Sequence, residues 1–313
     1  MHTSEKIFYI IKYSLILFAV AIIIIKVYYY SKKKRSGIFL KISMVLAALG
    51  LLDLFDMYLV EPNWIKIERV VIKDSDLAQI MEGTKVVQIS DIHLKEIGFR
   101  ERQLIEKVNN LKPDILFITG DFFSSVNDKD ANDQYRGIYD LIKNFKVSTA
   151  IYGVLGNYDD YLVRYPERLK ELRSAGIDIL HDENRRIVLQ NNKTVWLAGS
   201  FYDSAHDNTS SLTDALESIP PKAPVILLNH YPDVFEKASN AGINLVLVGH
   251  THGGQIGIPF LIHISNYAYK SNYMSGLFSM GKTKMYVNRG IGTTVFPVRF
   301  LCRPEITVFE FSS

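Results

Sequence analysis

An almost continuous apolar run from Ile7 to Tyr30, with Lys12 near one end and Lys26 near the other, opens the chain. Its length matches the roughly 20 residues a helix needs to cross a bilayer, so a transmembrane helix is expected over 7–30. The apolar stretch of a cleaved signal peptide is shorter, and no small-residue cleavage site precedes Tyr28, Tyr29 and Tyr30. A second apolar run, Ile38 to Val60, is broken by Lys41, Asp53 and Asp56. Each of these costs about 2.5–3.5 kcal/mol at the centre of a spanning helix. This run either spans or lies along the interface. With two spans, the basic loop Lys32 to Arg35 is cytoplasmic and everything after Glu61 faces outward; with one, the same cluster keeps the rest of the chain inside.

Beyond Pro62 the pattern changes to short β-rich runs separated by polar helical stretches. Strands are expected at Trp64–Ile72, Lys85–Ser90, Asp114–Gly120, Thr149–Leu155, Thr194–Ser200, Val225–Asn229, Leu245–Gly249, Lys284–Asn288 and Glu305–Phe311. Arg100 to Leu111 sets Leu104, Val108 and Leu111 on one helical face, and Gln134–Phe145 and Pro166–Ala175 have the same period. Polar residues gather where strands end. VVQIS runs into Asp91 and His93, ILFITG into Asp121, IYGVLG into Asn157, VILLN into His230, and LVLVG into His250 and His252. In open α/β sheets ligands bind beyond the carboxyl ends of the strands, so these segments deliver their polar tips to one rim.

Composition narrows the chemistry. Of 313 residues 48% are hydrophobic, enough for a substantial core, which excludes a disordered chain. The net charge is +3, and much of the excess sits in Lys32 to Arg35, so a nucleic-acid partner is not expected. Cys302 is the single cysteine, which excludes an internal disulfide framework and a thiolate zinc site.

The strand-end set holds carboxylates, imidazoles and an amide but no thiolate, a combination that suits two divalent ions, manganese first and iron or zinc as alternatives. Two ions about 3.5–4 Å apart and sharing one carboxylate would use every ligand, the arrangement that clamps an in-line displacement in phosphatases and nucleases. Singly, an Asp or Asn after a strand is often a turn or helix cap and a buried His is often only hydrogen-bonded, but core histidines have no reason to recur after strands.

The D-I-H at Asp91, G-D at Gly120, G-N-Y-D at Gly156, the lone His230 and G-H-T-H at Gly249 resemble the calcineurin-like metallophosphoesterase superfamily. G-H-T-H-G-G-Q, with the later N-R-G-I-G-T-T and R-P-E-I, resembles its bacterial membrane-associated phosphodiesterase branch, which includes UDP-2,3-diacylglucosamine hydrolase-type enzymes. The resemblance implies a two-sheet α/β/β/α sandwich over residues 62–313, preceded by one or two N-terminal transmembrane helices within residues 1–61. It implies that Asp91, His93 and His252 bind one metal, that Asn157, His230 and His250 bind the other, and that Asp121 bridges them. Asn157, Tyr158 and Asp159 fall at its catalytic positions, and Arg289 and Arg299 are candidate substrate contacts or structural ion-pair partners.

Tyr158 departs from the family pattern, which has histidine there as phosphate contact and general acid; Asp159, which would orient that histidine, is retained. The expected activity is hydrolysis of a phosphate ester or anhydride on a phosphorylated small molecule or lipid at the cell membrane. Pyrophosphate cleavage in a UDP-2,3-diacylglucosamine-type lipid A precursor leads; a phospholipid or cell-wall phosphodiester, or a non-catalytic membrane scaffold, are alternatives. Ser204 to Ser211, with His206, reads as a solvated loop before a substrate loop, His181 and His263 have no partner pattern, and Cys302 reads as packing.

Overall fold

Fully buried strands explain why the chain beyond Pro62 reads as short unbroken apolar runs. In Ile115–Thr119, alternate residues face opposite sides: Ile115 and Phe117 enter one core cluster, Leu116 and Ile118 another. Val225–Leu228 and Leu245–Val248 divide their side chains in the same way. A sheet covered on both faces follows from that composition.

The computed structural model describes residues 25–26, 28–29, 37–125, 127–201, 209–257 and 271–313. Its elements are α1 (Gly37–Phe55), β1 (Lys66–Lys73), α2 (Ser75–Ile80), β2 (Val86–Ile89), α3 (Phe99–Leu111), β3 (Ile115–Thr119), α4 (Asp128–Asn144), β4 (Ala150–Val154), α5 (Asp160–Arg164), α6 (Pro166–Ser174) and β5 (Ile177–Ile179). There follow β6 (Glu183–Val188), β7 (Thr194–Gly199), α7 (Thr209–Ala215), β8 (Val225–Leu228), α8 (Phe235–Asn240), β9 (Leu245–Val248), β10 (Gly276–Met280), β11 (Thr283–Val287) and β12 (Glu305–Ser312).

The strands form two mixed six-stranded sheets, ordered β1-β12-β2-β3-β4-β5 and β10-β11-β9-β8-β7-β6. Val86, Phe117 and Val154 of the first sheet pack against Leu197, Ile226, Leu228 and Leu247 of the second. Leu104 and Val108 of α3, Ile138 and Leu141 of α4 and Leu172 of α6 cover the outer face of the first sheet. Ala215 of α7 and Phe235 and Ala238 of α8 cover the second. The result is the expected α/β/β/α sandwich, with β2, β3, β4, β8 and β9 at the middle, their carboxyl ends along one rim.

Three strands were not expected from the sequence: β5, β6 and β10. Each is the edge of a sheet. An edge strand needs less apolar burial and tolerates charge, and the ENRRIV of β6 lacks the period that marks interior strands.

The 7–30 run lies outside the described residues apart from Ile25, Lys26, Tyr28 and Tyr29. Among the described residues one helical stretch, Lys41–Asn63, is long and apolar enough to cross a membrane. Its 23 residues rise about 34 Å at 1.5 Å each. Ile42, Met44, Val45, Leu46, Leu49, Leu51, Leu52 and Phe55 are all exposed, so the helix is apolar around its whole circumference rather than along one stripe. Its far end is fastened to the sandwich: Arg299 N donates to Met57 O at 3.1 Å, and Glu61, itself buried, accepts from the backbone N–H groups of Leu301 and Cys302.

Candidate metal centre

Each strand of the central rim ends in a turn that aims a side chain inward. Asp91 (φ 47°), His93 (φ 44°), Asp121 (φ 54°), His250 (φ 72°) and His252 (φ 51°) all hold left-handed backbone. For residues other than glycine such conformations cost on the order of 1–3 kcal/mol each and persist where surrounding structure enforces them, typically at functional sites. Neighbouring glycines make the approach possible. A Cβ on Gly249 would lie 1.9 Å from Ser90 Oγ and 2.3 Å from Asp91 Oδ2, and one on Gly156 would lie 2.3 Å from Asp121 Oδ1.

The turns bring Asp91, His93, Asp121, His230 and His252 into one buried cluster, with His250 half-buried beside it. His93 Nε2 is 3.1 Å from His252 Nε2 and 3.4 Å from Asp121 Oδ2. His252 Nε2 is 3.3 Å from Asp91 Oδ1, and His230 Nε2 is 3.3 Å from Asp121 Oδ2 and 4.0 Å from Asp91 Oδ1. His250 Nδ1 is 3.3 Å from His230 Nε2, while the His250 backbone N–H donates to both Asp91 oxygens. Two overlapping triads result, Asp91–His93–His252 and Asp91–Asp121–His230, each close enough to hold one ion.

The imidazoles are oriented from behind. His93 Nδ1 lies 2.9 Å from Phe123 O and His230 Nδ1 lies 2.8 Å from Thr119 O, so each donates outward from Nδ1 and turns Nε2 toward the cluster. Asp121 is divided the same way: Oδ1 accepts from Tyr158 N at 2.8 Å, leaving Oδ2 for the histidines.

Charge in the cluster is balanced internally. Burial disfavours a cationic His230, but Asp121 and Asp91 outweigh it and hold its pKa up at about 10. Burial would raise Asp121, yet His230 and His93 bring it down to about 2. Burial pushes Asp91 up to about 7 against the pull of His230, with the Asp121 charge adding to the rise. His93 falls to about 4 and His252 well below the ordinary histidine range, both through burial.

These residues fit divalent cations. Asn157 Oδ1 is buried and has no hydrogen-bond partner, an acceptor that a cation would satisfy. The donors are carboxylate, imidazole and amide, the set that borderline and hard divalent ions take.

Asp159, Arg289 and Arg299 all have structural partners. Asp159 orients no side chain at position 158. Its Oδ2 accepts from Asp121 N and Gly156 N and its Oδ1 from Phe122 N and Phe123 N, tying the turn after β3 to the turn after β4. Burial and the Asp121 charge raise its pKa to about 8, while the amide donors favour the anion. Arg289 takes the ion-pair alternative: one of its terminal nitrogens meets Glu68 Oε1 at 2.6 Å and Glu305 Oε2 at 2.5 Å. Arg299 is wholly buried and donates to the carbonyls of Arg289, Gly290, Gly292 and Cys302. Burial lowers its pKa.

Tyr158 Oη is 2.9 Å from Thr294 Oγ1, and its ring meets His93 edge-on at 4.8 Å between centroids. Thr294 and Gln255 were not singled out from the sequence. Gln255 Oε1 accepts from Thr294 N at 2.8 Å and Gln255 Nε2 donates to Thr294 O at 2.9 Å. The signal was present, since both end motifs that had been noted, G-H-T-H-G-G-Q and N-R-G-I-G-T-T, but the pairing crosses 39 residues. Cys302 is buried, its Sγ 3.2 Å from His252 O. His181 stacks on Phe201, and His206 and His263 lie outside the described residues.

Residues 84–254 match the family model for calcineurin-like phosphoesterase. The chain is similar to an uncharacterized metallophosphoesterase of Bacillus subtilis, YkuE, at 30% identity over 255 residues, covering 81% of this chain and 87% of that protein. It is 28% identical over 287 residues to a transmembrane protein with metallophosphoesterase domain of Danio rerio, covering 88% of this chain but only 62% of that longer relative. It is 25% identical over 312 residues to the UDP-2,3-diacylglucosamine pyrophosphatase LpxG of Chlamydia muridarum, covering 80% of this chain and 90% of that protein.

Proposed function

The chain belongs to the calcineurin-like phosphoesterase family and is a metal-dependent hydrolase of phosphoric ester or anhydride bonds, and on that premise we propose that it acts on a phosphorylated lipid at a membrane. The observation that carries the metal assignment is Asp121 Oδ2, one carboxylate oxygen 3.4 Å from His93 Nε2 and 3.3 Å from His230 Nε2. On this reading Asp91, His93 and His252 hold one ion, Asn157, His230 and His250 hold the second, and Asp121 bridges them. Asp91, which stands in both triads, adds negative charge to the second position. When bound, the ions supply charge neutralisation for the phosphoryl group and an acidified water. The chain's own part is to fix the ligands: Phe123 O and Thr119 O set the imidazole tautomers, and Asp159 locks the turns that carry Asp121 and Asn157.

Two features favour a lipid substrate. The exposed apolar helix Lys41–Asn63 is suited to a membrane, so residues 1–61 serve as anchor and 62–313 as catalytic domain. The LpxG relative is named for a lipid-linked pyrophosphate, which makes a nucleotide-lipid anhydride the leading candidate and a phospholipid or wall phosphodiester the alternative. Tyr158 agrees with an anhydride: a phenol is a weak acid beside an imidazolium, and a phosphate leaving group departs without protonation at neutral pH.

The test is a turnover screen of the full-length, manganese-loaded protein against phosphomonoesters, phosphodiesters and nucleotide-lipid pyrophosphates. The expected result is a kcat/KM highest for the lipid anhydride. A preference for water-soluble monoesters would overturn the substrate reading.

A further inference from the structure

The segment Thr293–Leu301 joins the candidate metal centre to the apolar helix. At one end, Thr294 holds Tyr158 Oη and is clamped by Gln255, and a Cβ on the preceding Gly292 would lie 2.7 Å from His93 Cβ. At the other, Arg299 N bonds Met57 O and Leu301 N bonds Glu61 at the helix end.

Along this segment the loop turns apolar side chains outward. Val295 is 58% exposed and Leu301 is 65% exposed, and Pro297 is exposed between them. Both Val295 (φ 58°) and Leu301 (φ 53°) hold left-handed backbone, and Phe296 N bonds Thr294 O to close a γ-turn around Val295. Glycine or asparagine suits such positions; a β-branched valine is an outlier there. Neither residue is covered by the described residues in a way that would offset the strain, and exposed apolar side chains held at such a cost point to a partner surface.

The neighbouring surface says what that is. Trp64, half exposed just past the helix end, carries the Arg303 guanidinium 3.4 Å from its ring centroid, and Lys66, which follows, pairs with Glu68 at 2.7 Å. An aromatic ring with a guanidinium stacked on it at the end of an apolar helix is the composition of the lipid–water boundary.

We propose that the Thr293–Leu301 loop dips into the lipid–water boundary beside the helix and holds the mouth of the metal centre, at Tyr158 and Thr294, against the bilayer. A lipid-linked phosphate then reaches the centre while its acyl chains remain in the membrane. This rests on the membrane reading above and adds to it a second contact and an orientation of the site.

The experiment places nitroxide labels in the full-length protein in vesicles of phosphatidylcholine and phosphatidylglycerol. The variants are Val295→Cys, Leu301→Cys, Leu49→Cys and Val188→Cys in a Cys302→Ser background. Leu49 lies on the helix and Val188 on β6, and both are exposed. Collision with oxygen relative to a water-soluble nickel chelate should be several-fold higher at 295, 301 and 49 than at 188. If 49 reports lipid while 295 and 301 match 188, the membrane reading stands and the loop proposal fails. If 49 also matches 188, both fail. Shielding of 295 and 301 from both reagents would mean a protein partner or a second copy covers the loop, and would overturn the proposal.

Discussion

The backbone N–H of Tyr158 donates to Asp121 Oδ1 at 2.8 Å, so a residue unusual in its side chain acts on the bridging candidate through its main chain. With Oδ1 committed, only Oδ2 faces His93 and His230. Asp121→Asn keeps the shape but must turn its amide nitrogen toward the histidines if its oxygen still accepts from Tyr158. We expect loss of more than about 100-fold in metal affinity, with turnover lost in parallel. Metal content by atomic emission, set beside kcat, checks this; a variant retaining both metals and near-normal rate would remove Asp121 from the bridge.

Tyr158→Phe should be mild. The substitution keeps the backbone bond to Asp121 and deletes only the hydroxyl contact with Thr294. A fall in kcat/KM of about 10-fold at most is expected, below the roughly 10²–10⁴ of a lost general acid. The measurement is kcat/KM over aryl phosphodiesters of graded leaving-group pKa. A slope that is shallow in the native enzyme and steep in the Phe variant would show that the phenol donates the proton after all.

Acidity should act in opposite directions on the metal-free fold and on metal uptake. His230 is raised to about 10 in the folded chain through Asp121 and Asp91, against an ordinary value near 6.5. A raised folded-state pKa gives stability that is fully present below about 6.5 and is lost as pH climbs through about 10. Ligation instead requires a neutral imidazole, so metal affinity rises over the same interval and binding releases a proton near neutrality. Denaturation of metal-free protein between pH 7 and 10, with titration calorimetry in buffers of different ionisation enthalpy, measures both. Metal binding without proton release would contradict the charge state assigned to His230.

Arg299→Lys should destabilise the fold rather than weaken substrate binding. A single ammonium cannot reach the carbonyls of Arg289, Gly290, Gly292 and Cys302 together, and an unsatisfied buried acceptor costs about 1–3 kcal/mol. The denaturation midpoint should fall while KM for a soluble diester in the folded fraction stays within about two-fold, well under the effect of losing a charge-assisted contact to phosphate. A raised KM with unchanged stability would return Arg299 to the substrate.

The strand-end residues were legible because their signal is local. A run such as LVLVG followed by His250 and His252 carries its burial, its end and its chemistry within a few positions, and its neighbours repeat the pattern. Interior strands were legible for the same reason, whereas β6 and β10 are edge strands with little buried apolar surface, and β5 buries Ile177 and Ile179 but is only three residues long, too short to show a period.

What the chain alone determined was therefore the set of residues that converge on the rim. Only tertiary structure decided what the charged and amide groups around them do. Arg289 meets Glu68 across 221 residues, and Asp159 reaches back 38 to Asp121 N. No spacing encodes those distances. A carboxylate that accepts amides and one that faces a cation look alike in sequence; they differ only in which groups the folded chain brings within about 3 Å.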